Sequence, residues 1–147
     1  MPALQPMKLA LFVTVVLGGL EALGAEMASV NVWPDLAPGE TSRDAGTEQP
    51  RPLGENPPIT RLIRVRRPTM EVFLPASPNG TAVVILPGGG FAKVVPDLEG
   101  SEAAPFLNRL GIAVFVVRYR TNETLPVGEP AWRRPLQDGQ RALRLVR

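Results

Sequence analysis

Gly88, Gly89 and Gly90 follow Pro87 at the end of the apolar run Ala82-Val83-Val84-Ile85-Leu86. Consecutive glycines at the carboxyl end of a strand let the backbone turn sharply and leave its N–H groups uncovered. Fixed, uncovered N–H groups are what holds the oxyanion that develops when an ester carbonyl is attacked. Two other chemistries use glycine turns after strands, and the spacing fits neither. A phosphate-binding loop needs Gly-Lys followed by Ser or Thr, whereas Gly90 leads into Phe91-Ala92-Lys93. A dinucleotide fingerprint needs Gly-x-Gly-x-x-Gly opening into a helix. Here Lys93 stands in the third glycine's place, and the next helical pattern begins about ten residues later. A tight turn without function is the plain alternative.

The other chemistry-bearing residues are few. The chain has no histidine and no cysteine, which excludes a disulfide framework and any thiolate metal site. Zinc would find only carboxylates, so no metal or other cofactor is expected. Ser101 is the serine near the glycines, but no Gly-x-Ser-x-Gly surrounds it, and it reads as a helix cap. Glu99 and Asp138 are the carboxylates best placed for acid chemistry, yet neither has a histidine to orient. Glu99 is expected to hold the glycine loop by hydrogen bonds, and Asp138 to lie on a helix surface or cap.

Net charge is +2, and fourteen of the sixteen basic residues are arginine, densest at Arg61, Arg64, Arg66 and Arg67. No aromatic residues interleave with that group, so it reads as a solvated strand edge and turn, with no nucleic-acid partner.

The elements that must position the glycines can be read from periodicity. Lys8 precedes the apolar stretch Leu9 to Leu20, which Glu21 ends, and Ala22-Leu23-Gly24 follows. That stretch is short of the roughly 20 residues a membrane span requires. It reads as a signal peptide over residues 1–24, cleaved near Gly24 or Ala25, which implies a secreted or periplasmic protein with no stable membrane span after cleavage. Residues 25–58 are rich in proline and turn residues and read as an irregular arm. Ile59 to Val65 and the alternating Thr69 to Leu74 read as two strands of an antiparallel hairpin turned at Arg66-Arg67-Pro68. Ala82 to Leu86, a helix within Ser101 to Leu110 and a second apolar run, Ile112 to Tyr119, make a βαβ unit. Pro105 fits the helix's first turn and Gly111 its end. Thr121 to Arg133 reads as a long loop. Leu136 to Arg147 reads as a helix burying Leu136, Leu143 and Val146, with Gln137, Asp138, Arg141 and Arg144 opposite. The fold class is α/β.

The segments Ile85-Leu86-Pro87-Gly88-Gly89-Gly90-Phe91, Glu99-Gly100, Phe106 to Arg120 and Asp138 to Arg147 together resemble secreted α/β-hydrolases, in the acetyl-xylan esterase-like and feruloyl-esterase-like carboxylesterase branch. The resemblance covers roughly Ile59 to Arg147, and Trp33 to Gly39 weakly. It implies the N-terminal portion of the α/β-hydrolase fold over residues 59–147. It also implies that Gly89 and Gly90 are oxyanion-hole donors, with Gly88 shaping the turn. Phe91 becomes either a wall of the substrate pocket or core packing. The implied partner is a small ester or acylated polysaccharide. Many relatives carry histidine before the glycines, where this chain has Pro87, a substitution that leaves the loop backbone intact. In that fold the nucleophile elbow, the acid and the histidine come in that order after the segment matching Leu136 to Arg147. The chain alone is therefore expected to be catalytically inactive, with Ala82 to Leu86 presenting an unpaired, aggregation-prone edge. The rival readings are a non-catalytic secreted binding module and a membrane-anchored accessory protein.

Overall fold

The computed structural model describes residues 28–123 and 127–147. Along the chain come strands β1 (Ala28–Asn31), β2 (Thr47–Glu48), β3 (Leu62–Ile63), β4 (Thr69–Phe73) and β5 (Ala82–Ile85). A 3-10 turn (Ser101–Ala103) runs into helix α1 (Ala104–Arg109), followed by strand β6 (Ala113–Arg118) and helix α2 (Arg133–Val146). The expected signal segment, residues 1–24, lies outside the described residues. Among those described, no helix is long and apolar enough to cross a membrane.

Four strands form one sheet in the order β1-β4-β6-β5, and β2 pairs with β3 apart from it. β5 runs parallel to β6, with Val84 opposite Phe115, while β4 is antiparallel to both β6 and β1. The β5-α1-β6 stretch is thus the expected βαβ unit. β6 is apolar from Ala113 to Val117 because both its faces are covered there, and Arg118 at its end pairs with Glu71. Val114 and Val116 meet Ala104 and Leu107 on the α1 side. Phe115, Val117 and Tyr119 point the other way, toward Ala142 and Val146 of α2. This alternation follows from the period of two in a strand. Burying one such valine contributes about 1.5–3 kcal/mol. Pro105 lies in the first turn of α1, where its missing N–H has no helical acceptor to lose.

Three expectations are corrected. Residues 59–65 do not form a hairpin with residues 69–74. The backbone of Leu62 exchanges hydrogen bonds with Val94 on one edge, and Leu62–Ile63 pairs with Thr47–Glu48 on the other. No edge is left for β4, and Arg64 leaves the strand with φ 57°. The arm is not irregular throughout, since β1 adds to the sheet beside β4. Helix α2 buries a face shifted from the one expected, of which only Val146 packs against the core. Pro135, Asp138, Gly139 and Ala142 are inside, whereas Leu136 and Leu143 are each 48% exposed.

β5 is only half-buried, and no described strand pairs with its other edge. Its carboxyl end and that of β6 lie side by side, where open parallel sheets place their functional loops.

Candidate functional site

The turn after β5 is held one peptide unit at a time. The carbonyl of Pro87 accepts a hydrogen bond of 2.6 Å from the Tyr119 hydroxyl, and the N–H of Gly88 donates to Glu99 Oε2 at 2.9 Å. Both groups belong to the Pro87–Gly88 peptide, which is therefore gripped at its oxygen and at its nitrogen. The next unit has its oxygen fixed by Val95, whose N–H reaches the Gly88 carbonyl at 3.1 Å. The unit after that has its oxygen bonded by the Lys93 N–H at 3.3 Å. A trans peptide points its N–H away from its C=O. The N–H groups of Gly89 and Gly90 are accordingly turned away from the contacts that anchor their units, and neither has an acceptor among the described residues.

The backbone conformation here is one that most residues resist. Gly89 and Gly90 have φ of 137° and 62°, and Phe91 follows at 63°. Left-handed backbone costs a residue with a Cβ roughly 1–2 kcal/mol. Phe91 is held there by the Asn122 N–H, 3.0 Å from its carbonyl, and by edge-to-face contact with Tyr119 at 6.4 Å between centroids. Phe91 is 38% exposed, so it meets solvent as well as the tyrosine. The glycines differ in what they require. A Cβ on Gly89 would lie 2.2 Å from the Lys93 carbonyl oxygen, a collision with backbone. On Gly88 it would meet Glu99 Oε2 at 2.2 Å, and on Gly90 it would meet nothing within 4 Å. Gly90 is thus constrained by its φ alone, and Gly89 by both φ and space.

Glu99 does what the sequence reading assigned to it. Tyr119 was missed as a loop contact, although a tyrosine just past the carboxyl end of the apolar run was the available signal. Burial pushes the Tyr119 hydroxyl up to about 12, with the Glu99 charge adding to the effect, so it remains a donor through neutral pH. The segment bearing Glu99 is moored by Asp97, which accepts from the Thr60 N–H at 2.6 Å and the Leu98 N–H at 2.8 Å. Burial raises the Asp97 pKa, but these bonds outweigh it and hold the carboxyl below its ordinary value.

Asp138 is a correction. It is neither a surface residue nor a cap, because Arg120 brings a guanidinium into the interior and needs a counter-charge. Arg120 Nε lies 3.0 Å from Asp138 Oδ2, and the Trp33 indole N–H donates to Asp138 Oδ1 at 2.8 Å. Ser101 makes no capping bond, since Gly100 holds the cap position without a side chain. Ser101 instead lines a cavity of about 200 Å³ with Glu48, Thr60, Glu71, Pro96, Asp97 and Arg118. In the arginine cluster, Arg61 is paired with Glu55 at 2.6 Å and Arg66 with Glu123 at 3.3 Å, while Arg64 is exposed. No group of three or more histidine, cysteine, aspartate or glutamate side chains among the described residues could hold a metal ion.

A stretch of 63 residues is 46% identical to an acetylxylan esterase of Xylanibacter ruminicola. The chain is similar to an esterase. The matched stretch covers 41% of this chain and 13% of that enzyme. The crystal structure of an acetyl ester-xyloside bifunctional hydrolase from Caldicellulosiruptor lactoaceticus has a similar fold, with TM-score 0.51 at 24% identity over 81% of this chain and 35% of that one. The chain therefore spans a minor part of both relatives. No family model matches it. The sequence likeness supports an esterase family, and the structural likeness speaks for the fold, the mixed sheet with its terminal helix being compatible with part of an α/β fold.

Proposed function

We propose that this chain supplies the oxyanion-stabilising part of an exported serine carboxylesterase acting on acetylated xylan or a similar small ester. The observation that carries the reading is the pair of unengaged N–H groups at Gly89 and Gly90, on peptide units whose oxygens are tied down. When a nucleophile attacks the ester carbonyl, negative charge builds on its oxygen. Two donors on peptide units already held in place stabilise the charge with little reorientation. One such donor is typically worth about 3–4 kcal/mol of barrier. Gly88 shapes the turn and keeps its own N–H for Glu99. Phe91, exposed beside the donors, forms a wall against which the acyl group or sugar rests.

The chain has no histidine, so the base that activates the serine comes from outside it, as do the nucleophile and the acid. The likeness to an acetylxylan esterase motivates the choice of substrate, and the lysine and apolar run at the N-terminus motivate export. The test is a graft in which this segment replaces its counterpart in the Xylanibacter ruminicola relative. Release of acetate from acetylated xylan is the expected result. A folded graft that releases none, while the parent enzyme does, contradicts the proposal.

A further inference from the structure

We infer that Glu99 and Tyr119 are positioning residues which together set the direction of the Gly89 and Gly90 N–H groups by clamping the Pro87–Gly88 peptide. The inference rests on the oxyanion reading above and adds to it what keeps the donors aimed. A run of glycines has no side chains to stop its peptide planes from rotating, and its freedom is the largest of any residue type. The first plane of the run sets where the following two start, and the Val95 and Lys93 N–H groups then hold the oxygens of those two. That plane is held at both ends, by the Tyr119 hydroxyl on its oxygen at 2.6 Å and by Glu99 Oε2 on its nitrogen at 2.9 Å.

The two clamps come from different parts of the fold. Tyr119 is buried at the end of β6, so its position is set by the sheet. Glu99 is solvent-exposed and sits on the segment moored by Asp97 to the Thr60 N–H. An exposed carboxylate contributes little to packing. Its bond to Gly88 therefore serves orientation more than stability, and it also withdraws the Gly88 N–H from competition for the substrate. The approach is close enough that a side chain at Gly88 would collide with it, with a Cβ 2.2 Å from Oε2. Glu99→Gln retains an oxygen able to accept the bond, whereas Glu99→Ala does not.

Amide hydrogen exchange on the full chain reads the clamp directly. Gly88 should be protected in the unaltered chain, unprotected in Glu99→Ala and protected again in Glu99→Gln, with Val84 and Val116 unchanged in all three. In the esterase graft, Glu99→Ala should lower kcat about tenfold or more, the scale of one charge-assisted hydrogen bond, with KM little changed. Glu99→Gln should recover most of that loss, and Tyr119→Phe should lower kcat in the same way. If Gly88 exchanges freely in the unaltered chain, or if Glu99→Ala leaves kcat intact while Gly89→Ala lowers it, the clamp is wrong and the oxyanion reading stands. If neither substitution affects kcat, the oxyanion reading itself is wrong.

Discussion

Arg120 and Asp138, eighteen positions apart, form an ion pair from which solvent is wholly excluded, with Arg120 Nε 3.0 Å from Asp138 Oδ2. The Arg120 backbone N–H donates to the same carboxylate at 2.9 Å, and the rest of the guanidinium reaches the Pro38 carbonyl at 2.7 Å and Gln137 Oε1 at 2.9 Å. The pair ties the end of β6, helix α2 and the N-terminal arm to one another, immediately behind Tyr119. Two buried charges are tolerated here because every polar atom of the carboxylate is bonded.

Removing Asp138 leaves Arg120 buried and charged with only Glu40, at 3.7 Å, as a counter-charge. Asp138→Ala should destabilise the fold by about 3–5 kcal/mol, measured by urea denaturation of the two proteins side by side. Replacing both residues by apolar ones of similar volume should cost less than Asp138→Ala alone. A loss below about 1 kcal/mol for the single substitution, the scale of an exposed pair, would show that the two side chains are solvated.

Tyr119 is the chain's one tyrosine, so ultraviolet titration of the phenol reports on it alone. Burial raises its pKa from 10.0 to about 12. The folded form thus keeps a proton that the unfolded form gives up. The associated stability is fully present below the unfolded pKa and is lost as pH rises through the folded one. The native chain should titrate near the higher value and the denatured chain near the lower. A native midpoint at the ordinary value would mean that the hydroxyl is exposed and not bonded to Pro87.

The absence of histidine and cysteine makes a further prediction. The purified chain should show no turnover of p-nitrophenyl acetate above that of a matched Gly89→Ala chain. A burst of nitrophenol with acetyl label on a serine of this chain would overturn that.

What could be read from the sequence divides along physical lines. β6 was legible because a strand covered on both faces reads as a nearly unbroken apolar run, here Ala113 to Val117, and the glycine turn because few residue types tolerate its φ values. Helix α1 announced itself through Pro105 at its start and Gly111 after its end. β1 was not legible, since Ala28–Asn31 is exposed at every position and owes its place to the free edge of β4. The role of Asp138 was hidden because a charge on an amphipathic helix defaults to the solvent side. Its partner, Arg120, lies two residues past the end of β6, between the apolar run and the expected loop, where no pattern assigned it a place. The misassigned face of α2 follows from the same error, since turning Asp138 inward leaves Leu136 and Leu143 half-exposed. In the glycine loop, Glu99 was legible as a loop contact, whereas the distinction between Gly89 and Gly90 needed the position of the Lys93 carbonyl.

The most direct measurement is the kcat for p-nitrophenyl acetate of the esterase graft with and without Gly89→Ala, after circular dichroism has shown both to be folded. A methyl group at Gly89 collides with the Lys93 carbonyl and turns the donor away, so kcat should fall by about a hundredfold or more with KM little changed. Gly90→Ala, which strains φ but meets no atom, should cost less. A folded Gly89→Ala graft with unaltered kcat would show that the glycines only turn the chain and that their N–H groups stabilise no oxyanion.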